Sequence, residues 1–328
     1  MWNAKPPSSP VVPPVVDVEW LDQNRKNVVI LHVSYDPHCD LNQKDFVKTY
    51  FDDVDKRIQH FTSVQYQIGH IPNAIEFSLN CATYPGRTER FYLYNQSEVA
   101  SYLQKLAIYP DEHIVVYSTG PYNGMLYAAK ARWILKVYDF CKVSVLDGGL
   151  YAWEKAGKAL TKEVTVLQPS TLIPRRMNMQ EHITLSELAD GGHREIPILH
   201  DLERWNFIDC RPAAQYQGTA KPRQFTHIGD KAVGSFIQYS KNLPALKVIS
   251  TNGLMAKKED IEKALEQAEY DGKFKTILFC YDSLQSSLVG LAMEHAGYSA
   301  PRIFTGGLFE FEIRMPHYIN GQYGYPLY

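Results

Sequence analysis

Cys280 is the residue whose type and setting most invite chemistry. The apolar run Ile277-Leu278-Phe279 reads as a short strand that Cys280 ends. Tyr281-Asp282-Ser283-Leu284-Gln285 follows as a loop. Ser286 then opens a helical pattern with Leu288, Val289, Leu291, Ala292 and His295 on one face and Gly297 as its C-terminal stop. Open α/β sheets bind ligands at the carboxyl ends of their strands. A cysteine there faces the backbone N–H groups of the next loop and the positive end of the next helix. Both favour the thiolate, and a free thiol with a pKa near 8.5 falls by about one unit or more in such a setting. The same donors would hold a sulfur oxyanion, or a second sulfur bound to the first, so the chemistry is that of a nucleophilic cysteine that carries a sulfur atom. The competing reading is a buried core cysteine, because free cysteine is among the most buried residue types.

Elements that could position such a cysteine recur along the chain. Strands are expected over 28–33, 114–117, 143–146, 207–209, 277–280 and 302–304, and helices over 96–106, 125–135, 257–268 and 286–296. Short β-rich runs alternating with longer helical ones predict an α/β fold, with two units each built on a mainly parallel β-sheet covered by helices on both faces. Two anchors suggest duplication. Gly69-His70-Ile71-Pro72-Asn73-Ala74 is echoed by Thr226-His227-Ile228-Gly229. Asp147-Gly148-Gly149-Leu150 with Trp153 is echoed by Thr305-Gly306-Gly307-Leu308 with Phe311, at nearly the same offset. Tyr117 stands in the first half where Cys280 stands in the second. Tyrosine is a poor nucleophile near neutral pH, so the first half reads as structural.

The expected organisation is a Pro-rich arm over 1–16, a first domain over 17–160, a linker over 161–180 containing Pro169 and Pro174, and a second domain over 181–328. The chain has 328 residues, 45% hydrophobic and 21% charged, with net charge −2, which excludes whole-chain disorder and gives no basic footprint for nucleic acid. No apolar run approaches the roughly 18 residues of a membrane span. The N-terminus carries neither a secretory nor an Arg-rich mitochondrial pattern, so a cytoplasmic location is expected, with the mitochondrion as the alternative. Five scattered cysteines without a CxxC pair argue against a disulfide framework or a cysteine metal site. No GxGxxG after a strand, GxxxxGK[ST] or HExxH occurs, so no cofactor or metal is expected. Arg87 and Arg90, with Tyr92 and Tyr94, read either as lining a cleft between the halves or as a solvated loop.

The motifs GHIPNA (69–74), IVVY (114–117), VSVLDGGLYAWEKAG (143–157), FIDCR (207–211), QGT (217–219) and GGL (306–308) are together specific. Through them the chain resembles the tandem rhodanese family, the thiosulfate and 3-mercaptopyruvate sulfurtransferases, from about residue 16 to 315. The resemblance implies two rhodanese-like domains, the first inactive. Cys280 of the second would take sulfur from a small-molecule donor as a persulfide and pass it to a thiol or cyanide. Asp209 and Arg211 match the Asp and Arg that shape the family's pocket, and Tyr281, Asp282, Ser283 and Gln285 would line the substrate loop. Arg223 matches an arginine that contacts the substrate carboxylate in the mercaptopyruvate enzymes, an exposed loop charge being the other reading.

The loop departs from the family pattern. Thiosulfate enzymes follow the cysteine with Arg-Lys-Gly-Val-Thr and mercaptopyruvate enzymes with Gly-Ser-Gly-Val-Thr. Here no glycine supplies the φ > 0 that the turn needs. Asp282 adds a negative charge, and two unit charges about 5 Å apart at an effective dielectric near 20 repel by roughly 3 kcal/mol. If Asp282 points inward, that offsets most of the helix-terminus effect; if outward, solvent screens it. A second family arginine is Gln215 here, which weakens the case for thiosulfate. His70 and His227 read as structural loop histidines. Two functions follow: a sulfurtransferase working through Cys280, or a catalytically weak tandem pair serving as a binding module. A cysteine phosphatase is excluded because the position six after Cys280 is Ser286 and no arginine comes before Arg302.

Overall fold

Two five-stranded parallel sheets, built in the same lateral order, underlie the alternating pattern. They are seen in a computed structural model that describes residues 12–37, 42–191, 196–220 and 236–320. The first sheet runs Val15–Val16, Val143–Leu146, Ile114–Ser118, Val29–Ser34 and Ile75–Ser78. The second, taken from the corresponding edge, runs His182–Ile183, Arg302–Phe304, Lys275–Phe279, Trp205–Asp209 and Lys241–Asn242. Every neighbouring pair in both is parallel. Helices cover both faces, which is why the central strands are continuous apolar runs and not alternating ones. The central strands are Ile114–Ser118 and Lys275–Phe279; because Val116 pairs with Val145 and Leu278 with Ile303, the register matches Tyr117 to Phe279 and places Ser118, not Tyr117 as expected, where Cys280 stands.

The expected central strands and long helices are present with ends shifted by a residue or two. Edge strands of two residues were not foreseen, because so short a strand has no period and exists only through its neighbour. One of them revises the N-terminal arm. Val15 and Val16 pair with Val145 and Leu146, the Pro14 carbonyl accepts from Val145 N–H, and Ser144 Oγ donates to the Pro13 carbonyl at 2.5 Å. The end of the arm is thus the edge of the first sheet. Between the sheets, residues 162–178 form no helix or strand.

Another correction concerns the helix after Cys280. It spans Leu284–His295, and its residues from Ser286 to Met293 are all buried, where one apolar face was expected. A helix buried all round has partners on every side. Here one side covers the second sheet and the other packs on Met125–Val137 of the first half. Ala128, Ala131 and Ile134 of that helix belong to the same apolar cluster as Leu278, Leu288 and Met293. Charged groups close the helix pair: Arg132 Nη1 and Nη2 each donate to Glu294 at 2.9 Å, and Lys136 Nζ donates to Glu294 Oε1 at 2.8 Å. No helix among the described residues is long and apolar enough to cross a membrane.

Candidate active site

The strand Lys275–Phe279 delivers Cys280 to the carboxyl end of the second sheet, and the loop then turns straight into the Leu284–His295 helix. Backbone N–H groups of Ser286, Asp282 and Gln285 converge on Cys280 Sγ. Ser286 Oγ lies 3.9 Å from the sulfur. The turn that lacks glycine is made by Ser283, which takes φ +71. Left-handed backbone costs an L-residue roughly 1–2 kcal/mol. The Ser283 carbonyl accepts from Ser287 Oγ at 2.7 Å and from Ser286 Oγ at 3.2 Å, and its hydroxyl donates to the Asp282 carbonyl.

The amide cradle matches expectation, but the ionisation does not. Cys280 is 0% exposed. Burial and then the Asp282 carboxylate push its thiol up to about 11, against the loop N–H groups that pull it down. Asp282 takes the inward orientation: it is buried, with Oδ1 3.8 Å from Sγ and 3.3 Å from the Leu284 N–H that donates to it. Its own carboxyl is raised by burial, opposed by the Leu284 N–H and the charges of Arg90 and Lys130.

Asp209 and Arg211 reach the same sheet end, because Asp209 pairs with Phe279 in the parallel register. Both are fully buried. Arg211 Nε lies 3.0 and 2.9 Å from the two Asp209 oxygens, Nη2 lies 2.6 Å from Oδ2, and the Arg211 N–H caps Oδ1 at 3.0 Å. Tyr281 donates to Glu312 Oε2 at 3.2 Å and stacks on Phe309. Gln285 contributes its backbone amide. Lys221, Arg223 and His227 lie outside the described residues.

Two residues of the first half, Lys130 and Glu89, were missed, and Arg90 was singled out only as a cleft or loop arginine. Lys130, on the Met125–Val137 helix, is fully buried and donates to Ser283 Oγ at 2.7 Å, with its ammonium 4.2 Å from the Trp133 ring centroid. Burial pulls Lys130 down to about 8, against the charges of Glu89, Asp282 and Cys280. Glu89 is raised to about 7 by burial while the Thr305 hydroxyl holds it down. Arg90 acts on Asp282 and also lines, with Arg87, Tyr35, Phe46, Phe91 and Phe309, a cavity of about 890 Å³. Arg87 and Arg90 therefore do border a cleft that includes a second-half residue. Tyr94 is instead buried under the Arg57 guanidinium. Cys280 does not line this cavity. A lysine inside the apolar run Ala128-Ala129-Lys130-Ala131 was the available signal: a charge on a buried face needs a partner.

In the first half Ser118, at the position of Cys280, donates its hydroxyl to the Val33 carbonyl at 2.6 Å, and the residues singled out beside it are held by internal hydrogen bonds. Tyr117 hydroxyl bonds His32 Nδ1 at 3.1 Å and accepts from the Ile71 N–H at 3.0 Å. His70 is buried, stacked on Tyr66, with its ring nitrogens on the Tyr66 and Glu163 carbonyls.

The fold and site thus define a duplicated α/β protein in which one half presents a cysteine in an amide-lined loop. A profile for the rhodanese-like domain matches residues 44–156. A Caenorhabditis elegans protein named as a thiosulfate sulfurtransferase, mpst-1, is 31% identical over 261 residues, covering 78% of each chain. The Bos taurus thiosulfate sulfurtransferase is 25% identical over 252 residues, 77% of this chain and 80% of its own. The solved 3-mercaptopyruvate sulfotransferase SseA of Escherichia coli superposes with a TM-score of 0.69 at 19% identity, over 90% of this chain and 99% of that one. The chain belongs to the rhodanese family of sulfurtransferases.

Proposed function

We propose that the protein moves a sulfane sulfur from thiosulfate or 3-mercaptopyruvate to a thiol or cyanide through a persulfide on Cys280, with residues 181–328 as the active domain and 17–160 as a domain without a nucleophile of its own. The observation that carries this reading is the convergence of the Asp282, Gln285 and Ser286 amides on Cys280 Sγ. The thiol proton passes to Asp282 Oδ1, 3.8 Å away. The thiolate attacks the outer sulfur of thiosulfate, the donor S–S bond breaks, and sulfite leaves with the bonding pair. The loop amides hold the new terminal sulfur. An acceptor thiolate then attacks that sulfur, the persulfide S–S bond breaks with its pair on Cys280, and Asp282 returns the proton to the Cys280 sulfur.

Intact-mass spectrometry after donor treatment should show an adduct of about 32 Da, one sulfur in a persulfide. Cyanide should release the adduct as thiocyanate, and Cys280→Ser should never form it. The complete burial of Cys280 and its raised thiol favour the second reading, a tandem pair that binds and does not turn over. A protein that forms no adduct with either donor would overturn the persulfide reading.

A further inference from the structure

Lys130 is carried by the first half, yet its ammonium ends in the loop of the second. Burying an ammonium costs several kcal/mol unless it is hydrogen-bonded and balanced by charge. The compensation lies around Cys280: the Ser283 hydroxyl at 2.7 Å, the faces of Trp133 and Phe91, and the negative charges of Glu89 and Asp282, to which Cys280 adds its own when it ionises. Ser283 is also the residue in left-handed conformation whose turn brings the amides of Gln285 and Ser286 over the sulfur. One side chain therefore touches both the geometry and the charge of the loop.

We propose that Lys130 is the positioning residue of the Cys280 loop: its hydrogen bond holds the Ser283 turn, and its charge balances Asp282 beside the sulfur. The proposal rests on Cys280 being the sulfur carrier. The groups that bear on this balance come from several elements. Asp282 acts on Cys280, Cys280 on Cys210, Glu89 and Asp282 act on Lys130, Arg90 acts on Asp282, and Lys130 acts on His182. Attraction between charges is reciprocal, so a thiolate that favours the ammonium is favoured by it.

The test is alkylation of Cys280 by iodoacetamide, followed by peptide mass spectrometry on the full-length protein. It needs no sulfur donor. Below its midpoint a thiol alkylates in proportion to its thiolate fraction, about tenfold per pH unit. At pH 8, Lys130→Met should slow Cys280 about 10- to 100-fold, and Asp282→Asn should accelerate it about tenfold. The double variant should return to within about threefold of the parent, as coupled charges require. Lys130→Arg, which keeps the charge, should also stay within about threefold. The parent profile should bend near pH 8, where Lys130 loses its proton, and the Lys130→Met profile should be straight.

A lysine that only fills space would lower the melting temperature and leave the pH profile unchanged, and that result overturns the proposal. So does an Asp282→Asn variant that alkylates at the parental rate. If Lys130→Met fails to fold, Lys130→Arg and Asp282→Asn decide the matter by the same rates. Parental adduct formation together with unmoved alkylation rates defeats the Lys130 proposal alone. Shifted rates without any adduct defeat the persulfide reading alone.

Discussion

At the scale of single residues, the site is decided by what surrounds the sulfur. The strand, the turn and the helix after Cys280 were legible because they are consecutive in the chain and follow local patterns. The ionisation was not, because Lys130, Glu89 and Arg90 come from sequence positions 150 or more residues away; a lysine in an apolar run reports that it needs a partner, not that the partner is the Cys280 loop. Ser283 shows the same limit. Its left-handed backbone replaces the missing glycine, and a partner from the other half supports it. Ser283→Ala keeps the left-handed backbone and removes the acceptor of a buried ammonium, so it should cost about 1–3 kcal/mol in chemical denaturation. Ser283→Gly relieves the strain as it loses the same bond, so the two effects offset and stability should stay within about 1 kcal/mol of the parent. A Gly variant destabilised as much as the Ala variant would show that backbone strain is not at issue here.

Among the elements, the paired glycines show why the duplication could be read at all. A Cβ on Gly149 would lie 2.3 Å from the Asn123 carbonyl oxygen, and one on Gly307 would lie 2.4 Å from that of Cys280. In each half the second glycine lets a helix start press against the loop that follows the central strand. The motif survives at both places because backbone packs on backbone there, whatever the loop does chemically. Gly307→Ala also meets a left-handed φ of +55. It should cost about 2–4 kcal/mol by thermal melting, and it should slow Cys280 alkylation by displacing the loop carbonyls. An unchanged melting temperature would mean that the contact is slack. Central strands were readable from their continuous apolar runs, while edge strands such as Lys241–Asn242 were invisible, since pairing alone creates them.

Across the whole molecule, the halves share an apolar cluster and, apart from the charges around Lys130, a second buried ionic group. Two anchors at a common offset made the duplication legible, but the interface stayed hidden. The Leu284–His295 pattern was read as one apolar face, although its remaining residues are buried against the other half. Glu294 sits at that seam. Burial alone would raise its carboxyl, yet Arg132 and then Lys136 hold it at about 2, below the ordinary 4.5. A carboxyl depressed on folding contributes stability that is complete above about pH 4.5 and is lost as the pH falls towards 2. Glu294→Gln should therefore destabilise the protein by roughly 3 kcal/mol near neutral pH, and the penalty should vanish at about pH 2. Denaturation by urea across that range measures it, and a penalty independent of pH would contradict the assignment. Circular dichroism and tryptophan fluorescence should trace one coincident unfolding transition, because the shared cluster couples the halves.

Duplication usually leaves a spare copy free to decay. Here the copy without a cysteine at the end of its central strand reaches across with an amine. Whatever constrains the sulfur then bears also on a helix of the other sheet, and drift at Lys130 would be felt at the thiol it faces across the seam.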